Sequence, residues 1–210
     1  MSNFDDIFGN KKKLNLTNLV CNSGGAIGSD SVFERFCIEK GIKVNAFSYK
    51  TKSHTSECKV EISDEDYLEG IKQIKKANKI LNRYGIEKYM HLLARNWSQV
   101  KYSEEVFAVG TIVKSGDKDT KGYKNKSKYD IVSGGTGYAT TMAIQHNKPV
   151  YVFDQTKDKW FRWSYISNTF VECKEPKIST QTFAGIGTRE IKDNGIEAIK
   201  NLLNTINWNY

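Results

Sequence analysis

Proline occurs only twice in the 210 residues, which leaves no room for a proline-rich linker or an extended polyproline protein. The four cysteines, Cys21, Cys37, Cys58 and Cys173, form no Cys-x-x-Cys pair, and no histidine stands at zinc-ligand spacing from them. The usual structural zinc motifs and a disulfide framework are therefore not written in the chain. Cys21 and Cys37 lie in apolar runs and read as buried thiols. His54, His91 and His146 are isolated, and none pairs with a serine or cysteine in a nucleophile motif. No apolar run approaches the ~18 residues of a membrane helix, and no secretory leader opens the chain. We expect a cytoplasmic protein without membrane contact, with no metal site and no resident cofactor.

What is present is a globular balance: 39% hydrophobic and 27% charged residues, with a net charge of +8. The length suffices for one domain with a sizeable core. The positive charge suits an anionic partner, although most lysines are scattered and only Lys11-Lys12-Lys13 form a run. Residues 1–13 read as a flexible N-terminal arm and residues 14–210 as a single domain.

Along that domain, strand patterns alternate with helix patterns. Strands are expected at 16–21, 42–47, 106–113, 129–132, 149–153 and 182–186. Helices are expected after Ser29 or Asp30, from a cap at Asp64, over 87–100, through Met142-Ala143-Ile144, and over 190–206. The aromatic stretch 160–172, with Ser167-Asn168 at its middle, reads as an antiparallel hairpin. The lysine-rich stretch 115–128 reads as a solvated loop or hairpin tip, and Glu104-Glu105 as a solvated pair. The fold class is α/β: a Rossmann-like, mainly parallel sheet with helices on both faces, plus a small antiparallel hairpin.

Three glycine-rich turns each fall between an expected strand and an expected helix. They are Asn22 to Asp30, Ser133 to Thr141, and Gly185-Ile186-Gly187-Thr188-Arg189. Glycine lets the backbone approach a ligand, its N–H groups point outward, and the helix start adds partial positive charge. A phosphate satisfies all of this. In a parallel sheet the three turns share the carboxyl edge, where ligands bind. The candidate ligand-binding residues are Ser23, Gly24, Gly25, Ala26, Asp30, Ser133, Gly134, Gly135, Thr136, Gly137, Tyr138, Thr141, Gly187, Thr188 and Arg189. Arg95 joins them as a helix residue placed to reach the pocket from the side, with a plain helix-surface arginine the slightly stronger reading. Arg189 suits a bidentate phosphate clamp. Tyr138, Trp160 and Trp163 offer ring faces, with core packing the stronger reading for the tryptophans. Asp30 and Asp154 suit either a ribose hydroxyl or a cap.

Ser23-Gly24-Gly25-Ala26-Ile27-Gly28-Ser29-Asp30 resembles the S-G-G-A-x-G-A-D signature of the SLOG superfamily. That group includes the cytokinin-activating LOG enzymes, the DNA-processing protein DprA and molybdenum-cofactor-carrier-like proteins. Ser133-Gly134-Gly135-Thr136-Gly137 resembles the P-G-G-x-G-T-x-x-E loop of the LOG branch. Phe183 to Arg189 is similar to the strand and G-S-R opening of these proteins. Here that opening unit stands last, as in a circular permutation, and the arrangement predicts that strand 182–186 pairs beside strand 16–21. The resemblance places Tyr138 at the Thr position and Thr141 at the Glu position of the LOG loop. It implies a retained pocket without the carboxylate that LOG enzymes use on an N-glycosidic bond.

The resemblance favours binding without turnover, with no catalytic residue assigned. The expected partner is a phosphate-containing, nucleotide-derived small molecule of ADP-ribose or cyclic-nucleotide type. Such a protein would sense an antiviral defence signal or sequester it, as a phage-encoded sponge in host cytoplasm would. The alternatives are a LOG-type N-glycosidic hydrolase or transferase using Asp30, Glu190 or Asp154, and a DprA-like nucleic-acid binder. The +8 charge and loop 114–128 support the last. The absence of a dense basic stripe makes nucleic acid the lesser expectation. The resemblance also implies a homodimer or higher homo-oligomer.

Overall fold

The computed structural model describes residues 14–51, 54 and 56–206, and the arm expected over 1–13 lies outside them. After a single 3-10 turn at Leu16–Asn18, the first half runs β1 (Val20–Ser23), α1 (Ser29–Glu39), β2 (Lys43–Ser48), β3 (Lys59–Glu61), α2 (Asp64–Leu81) and α3 (Met90–Lys101). The second half runs β4 (Glu105–Gly110), β5 (Ile112–Val113), β6 (Ile131–Val132), α4 (Thr136–Gln145), β7 (Val150–Asp154), β8 (Lys159–Ser164), β9 (Thr169–Cys173), β10 (Thr182–Gly187) and α5 (Asp193–Asn204).

Eight strands form one sheet in the order β3-β2-β1-β10-β4-β7-β8-β9, and β5 and β6 form a separate antiparallel pair. The six strands from β3 to β7 are parallel to their neighbours, while β8 and β9 return as an antiparallel hairpin on the edge. The last strand lies between the first and the fourth, with Val20 opposite Thr182 and Phe183 opposite Glu105. This is the expected neighbourhood of strand 182–186. The fold is an α/β, Rossmann-like one.

Strand β4 shows why. Glu105 to Gly110 is buried throughout, the continuous apolar run that a strand covered on both faces requires. Val106 and Ala108 face the core shared with α2, α3 and α4, which also holds Ile74, Trp97 and Met142. Phe107 and Val109 face the opposite core, with Phe33 and Cys37 of α1 and Ile199 and Leu202 of α5. Trp160 and Trp163 are buried in these two cores, one in each.

Several boundaries differ from the sequence reading for local reasons. Ser63, not Asp64, caps α2 by accepting from the Asp66 N–H at 3.0 Å, while Asp64 accepts from the Tyr49 hydroxyl and pairs with Lys50. Ser29 and Asp30 are the first residues inside α1, not its cap. Helix α5 begins at Asp193 rather than near 190, because the Lys192 N–H is held by Gln155 Oε1 at 2.6 Å. The solvated reading of Glu104-Glu105 holds for the exposed Glu104 and is overturned for Glu105. Glu105 is fully buried, and its carboxylate accepts from the N–H and hydroxyl groups of Ser179 and Thr180. Glu104 accepts from the Gln181 and Thr182 amides. Both carboxylates therefore serve as anchors for the chain entering β10.

Candidate functional site

The parallel strands end at a common edge, and a cleft of about 1090 Å³ opens there. That is at the upper end of small-molecule sites, roughly 300–1,000 Å³. All three glycine-rich turns contribute to its wall: Ala26 and Asp30 from the first, Ser133 to Thr136 and Tyr138 from the second, Gly187 to Arg189 from the third. Arg95 of α3 also lines it. Seven cationic side chains against three carboxylates face the cleft, so its field favours an anion.

The second turn supplies the donors. Gly134 sits at φ +64°, a left-handed backbone that suits glycine. The Arg83 guanidinium donates to the Gly134 carbonyl at 2.5 Å and to the Val132 carbonyl at 2.8 Å. It also lies over the Tyr138 ring, at 5.4 Å from the centroid. Ser133 is tied on its other side, its N–H to Thr111 and its hydroxyl to Asp119. Helix α4 starts after Gly135 with no side-chain cap. The Gly137 and Tyr138 amides turn back to the Gly134 and Gly135 carbonyls, at 3.2 and 3.0 Å, so the helix-terminal donors left for a ligand are those of Gly135 and Thr136, both residues of the cleft wall.

The first and third turns meet differently. Ser29 donates from both its N–H and its hydroxyl to the Thr188 carbonyl, at 3.0 and 2.9 Å. Gly28, at φ +107°, lets them touch, since a Cβ there would meet the Thr188 carbonyl at 2.5 Å. The Asp30 carboxylate then accepts from the Gly187 N–H at 3.2 Å and from the Ala26 amide. The protein's own carboxylate thus fills the nest that these two turns make. The expectation that all three turns present free amides to one ligand is corrected: the second turn is open, and the junction of the other two is occupied by Asp30.

Asp30 belongs to a buried charge cluster. Its Oδ2 lies 3.9 Å from Arg95 Nη1, with both side chains almost fully buried. Burial raises its carboxyl, the Arg95 charge opposes that, and Glu34 adds to the rise, leaving it pushed up to about 6. Arg95 is lowered by burial, against the opposing pull of Asp30 and Glu34, and Arg189 lowers it further. Two guanidinium groups therefore repel each other at this wall. Among the described residues Arg95 makes one hydrogen bond, to Gln99 Oε1 at 3.4 Å, out of five donors. Gln99 is 1% exposed, lines the cleft, and its Nε2 has no hydrogen-bond partner among the described residues. Donors left over in a buried wall call for an acceptor from outside.

Five of the residues read from the sequence do not reach the cleft. Ser23 is buried behind α1, where its hydroxyl donates to Glu34 at 2.7 Å. Gly24 lies under Arg95, and a Cβ there would collide with Arg95 Nη1. Gly25 lies under the His54 ring. His54 is lowered by burial and by Arg95. Gly137 packs against the Val132 carbonyl with no room for a Cβ. Thr141 is buried in the second turn of α4, away from the cleft. Asp154 is fully buried and serves as a turn anchor, accepting from the Ile112 and Thr156 amides and from Lys157.

Other wall residues went unread. Arg83, Asn96, Gln99 and Gln155 line the cleft. The stretch read as solvated, 115–128, supplies a whole wall through residues 119–126. Lys121 reaches across to Glu190 at 2.8 Å. The sequence signal was its two glycines and alternating lysines, which do not distinguish a free tip from a wall. Among the described residues no group of three or more His, Cys, Asp or Glu side chains is arranged to hold a metal ion. Nor is any helix there long and apolar enough to cross a membrane.

No family model matches the chain, and no curated protein matches it. One solved structure is similar, that of a "Putative molybdenum carrier protein" from Syntrophus aciditrophicus. It is 16% identical, with 88% of this chain and 92% of that chain covered, at a TM-score of 0.49.

Proposed function

We propose that the protein binds a phosphate-bearing, nucleotide-derived small molecule in this cleft and holds it without turnover. One observation carries the reading: the uncapped start of α4 faces a cationic cleft in which Arg95 and Gln99 keep unspent donors. A phosphate at the α4 amides would take the helix-terminal donors, and its charge would relieve the Arg95–Arg189 repulsion. The resemblance to SLOG proteins points the same way, toward ADP-ribose-like or cyclic-nucleotide signals that the protein would sense or sequester. The β10–β1 pairing is what a circularly permuted member would need. Binding without turnover is supported by Thr141, which stands where LOG enzymes place their glutamate and is packed inside α4.

Calorimetry with ADP-ribose, cyclic ADP-ribose, NAD and AMP tests this reading. Binding in the micromolar range, with the ligand recovered intact by chromatography, is expected. No heat with any of them at near-millimolar concentration would refute it.

A second reading rests on Asp30. A carboxyl raised to about 6 beside a buried arginine is the kind of perturbed acid found where protons are moved. An N-glycosidic hydrolase or transferase would release free base from a nucleoside monophosphate or NAD, and Asp30→Asn would stop that release.

A further inference from the structure

The cleft is far larger than a phosphate, and its outer end is built of different chemistry. Tyr84, Tyr89 and Tyr123 line it, and they are 81%, 56% and 73% exposed. Single exposed apolar residues are ordinary, but here three exposed aromatic rings line one cationic cleft. They come from two segments far apart in sequence, the α2–α3 connection and the loop between β5 and β6.

Both segments are anchored, so the exposure is not that of loose ends. Arg83, next to Tyr84, is bonded to the second glycine turn as described, and its own backbone is held by Asn78 through two hydrogen bonds. The Tyr123 N–H donates to Asp119 Oδ1 at 2.9 Å, and the Asp119 N–H donates back to the Tyr123 carbonyl. Asp119 Oδ2 takes the Ser133 hydroxyl at 3.1 Å. Each ring-bearing segment is thus pinned directly to the turn that starts α4. Lys126 Nζ lies over the Tyr84 ring, 5.3 Å from its centroid, adding positive charge beside a π face.

We propose that Tyr84, Tyr89 and Tyr123 form a ring-stacking subsite that takes the nucleobase of the ligand whose phosphate rests on the α4 amides. The proposal rests on the binding reading above and extends it: the ligand is a nucleotide with its base intact, not a sugar phosphate or a bare polyphosphate. Pinning both tyrosine segments to the phosphate turn fixes the spacing between the two ends, so one molecule is measured by both. Stacking on aromatic faces tolerates different bases, so this end selects a flat ring and the α4 end selects the charge.

The test uses the full chain with Tyr84→Ala/Tyr123→Ala, both at exposed positions where folding is little affected, and Tyr84→Phe/Tyr123→Phe as the rescue. Probes are ADP-ribose, ribose 5-phosphate, pyrophosphate and a short oligo-dT. The alanine pair is expected to weaken ADP-ribose about tenfold or more, to leave ribose 5-phosphate and pyrophosphate unchanged, and to be rescued by phenylalanine. Equal ADP-ribose affinity in wild type and the alanine pair would overturn the stacking subsite and leave the binding reading standing. Absence of binding by every probe to wild type would overturn both. Oligo-dT binding tighter than ADP-ribose, and lost in the alanine pair, would replace the small nucleotide with single-stranded nucleic acid and overturn the proposal.

Discussion

Arg83 and Gly134 are 51 residues apart in sequence, and the Arg83 guanidinium donates to the Gly134 carbonyl at 2.5 Å. The second contact, to Val132, clamps the same turn from the strand side. Both carbonyls are thereby held in the protein, beside the Gly135 and Thr136 amides at the cleft wall. Under the proposed binding, Arg83 would be a positioning residue for the turn that starts α4.

Removing that clamp should loosen the turn, and it also takes one of the seven cations from the cleft wall. Arg83→Ala is expected to weaken ADP-ribose about tenfold and to lower stability by about 1–3 kcal/mol, since the Val132 and Gly134 carbonyls each lose a charged donor. Arg83→Lys should recover part of the affinity, because an ammonium can reach one carbonyl but cannot fork between two. Calorimetry and thermal unfolding of both variants check this. Equal affinities in Arg83→Ala and wild type would show that the turn needs no clamp.

Asp30 gives a pH dependence with a definite sign. Its carboxyl sits near 3.8 without the fold and at about 6 in it. Between those values the folded chain binds the proton and the unfolded chain does not. The group therefore favours the fold at low pH, and that favour is lost as pH rises through about 6. The size is on the order of 3 kcal/mol. The charged groups facing it are Arg95 and Glu34, with His54 and Arg189 beyond Arg95. The stability of wild type relative to Asp30→Asn should rise as pH falls from 7.5 to 5. ADP-ribose keeps its pyrophosphate charge over that range, so its binding should tighten several-fold as Asp30 protonates, and should stay flat in Asp30→Asn. Parallel pH profiles for the two proteins would contradict this account.

Two glycines of the first turn should respond in different ways. At Gly24 an added methyl collides with the end of the Arg95 side chain and comes within 2.5 Å of Asp30 Oδ2. These are side-chain ends beside the cleft rather than main chain, so Gly24→Ala should cost less stability than Gly28→Ala while binding ADP-ribose about tenfold more weakly. At Gly28 the obstacles are main chain, the Thr188 carbonyl at 2.5 Å and Arg189 Cα at 2.6 Å, and φ is +107°. Gly28→Ala should lose more than the about 1–3 kcal/mol of backbone strain alone. Denaturant unfolding with calorimetry on both variants separates the two cases. Unchanged affinity in Gly24→Ala would remove Arg95 from the ligand's contacts.

The sequence disclosed those parts of the molecule that local patterns determine. The apolar run of β4, the Ser167-Asn168 turn of the β8–β9 hairpin and the strand–glycine–helix spacing of three turns were all readable, because each depends on neighbours in the chain. What escaped depends on distant partners. Glu105 looks solvated until Ser179, 74 residues on, is brought to its carboxylate. Tyr84 and Tyr123 carry no signal singly and come to line one cleft only when Arg83 and Asp119 tie their segments to the second turn. Asp30 read equally well as a cap or a ribose ligand. Its actual partners, Gly187 and Arg95, lie in other parts of the chain. The glycines at 24 and 25 matched a phosphate turn in sequence, but α3 and His54 lie over them.

The central claim is that the α4 amides bind the anion, and Gly135→Asp tests it most directly. Gly135 has ordinary helical dihedrals, φ −61° and ψ −31°. Only Leu93 Cδ2, at 3.7 Å, lies near an added Cβ, so the variant should fold. Aspartate at this position sets a negative charge at a helix start, where the helix dipole favours it, so the melting temperature should hold or rise while the ligand's place is taken. Calorimetry with ADP-ribose should then show binding lost in a protein at least as stable as wild type. Undiminished affinity in a folded Gly135→Asp protein would contradict the account.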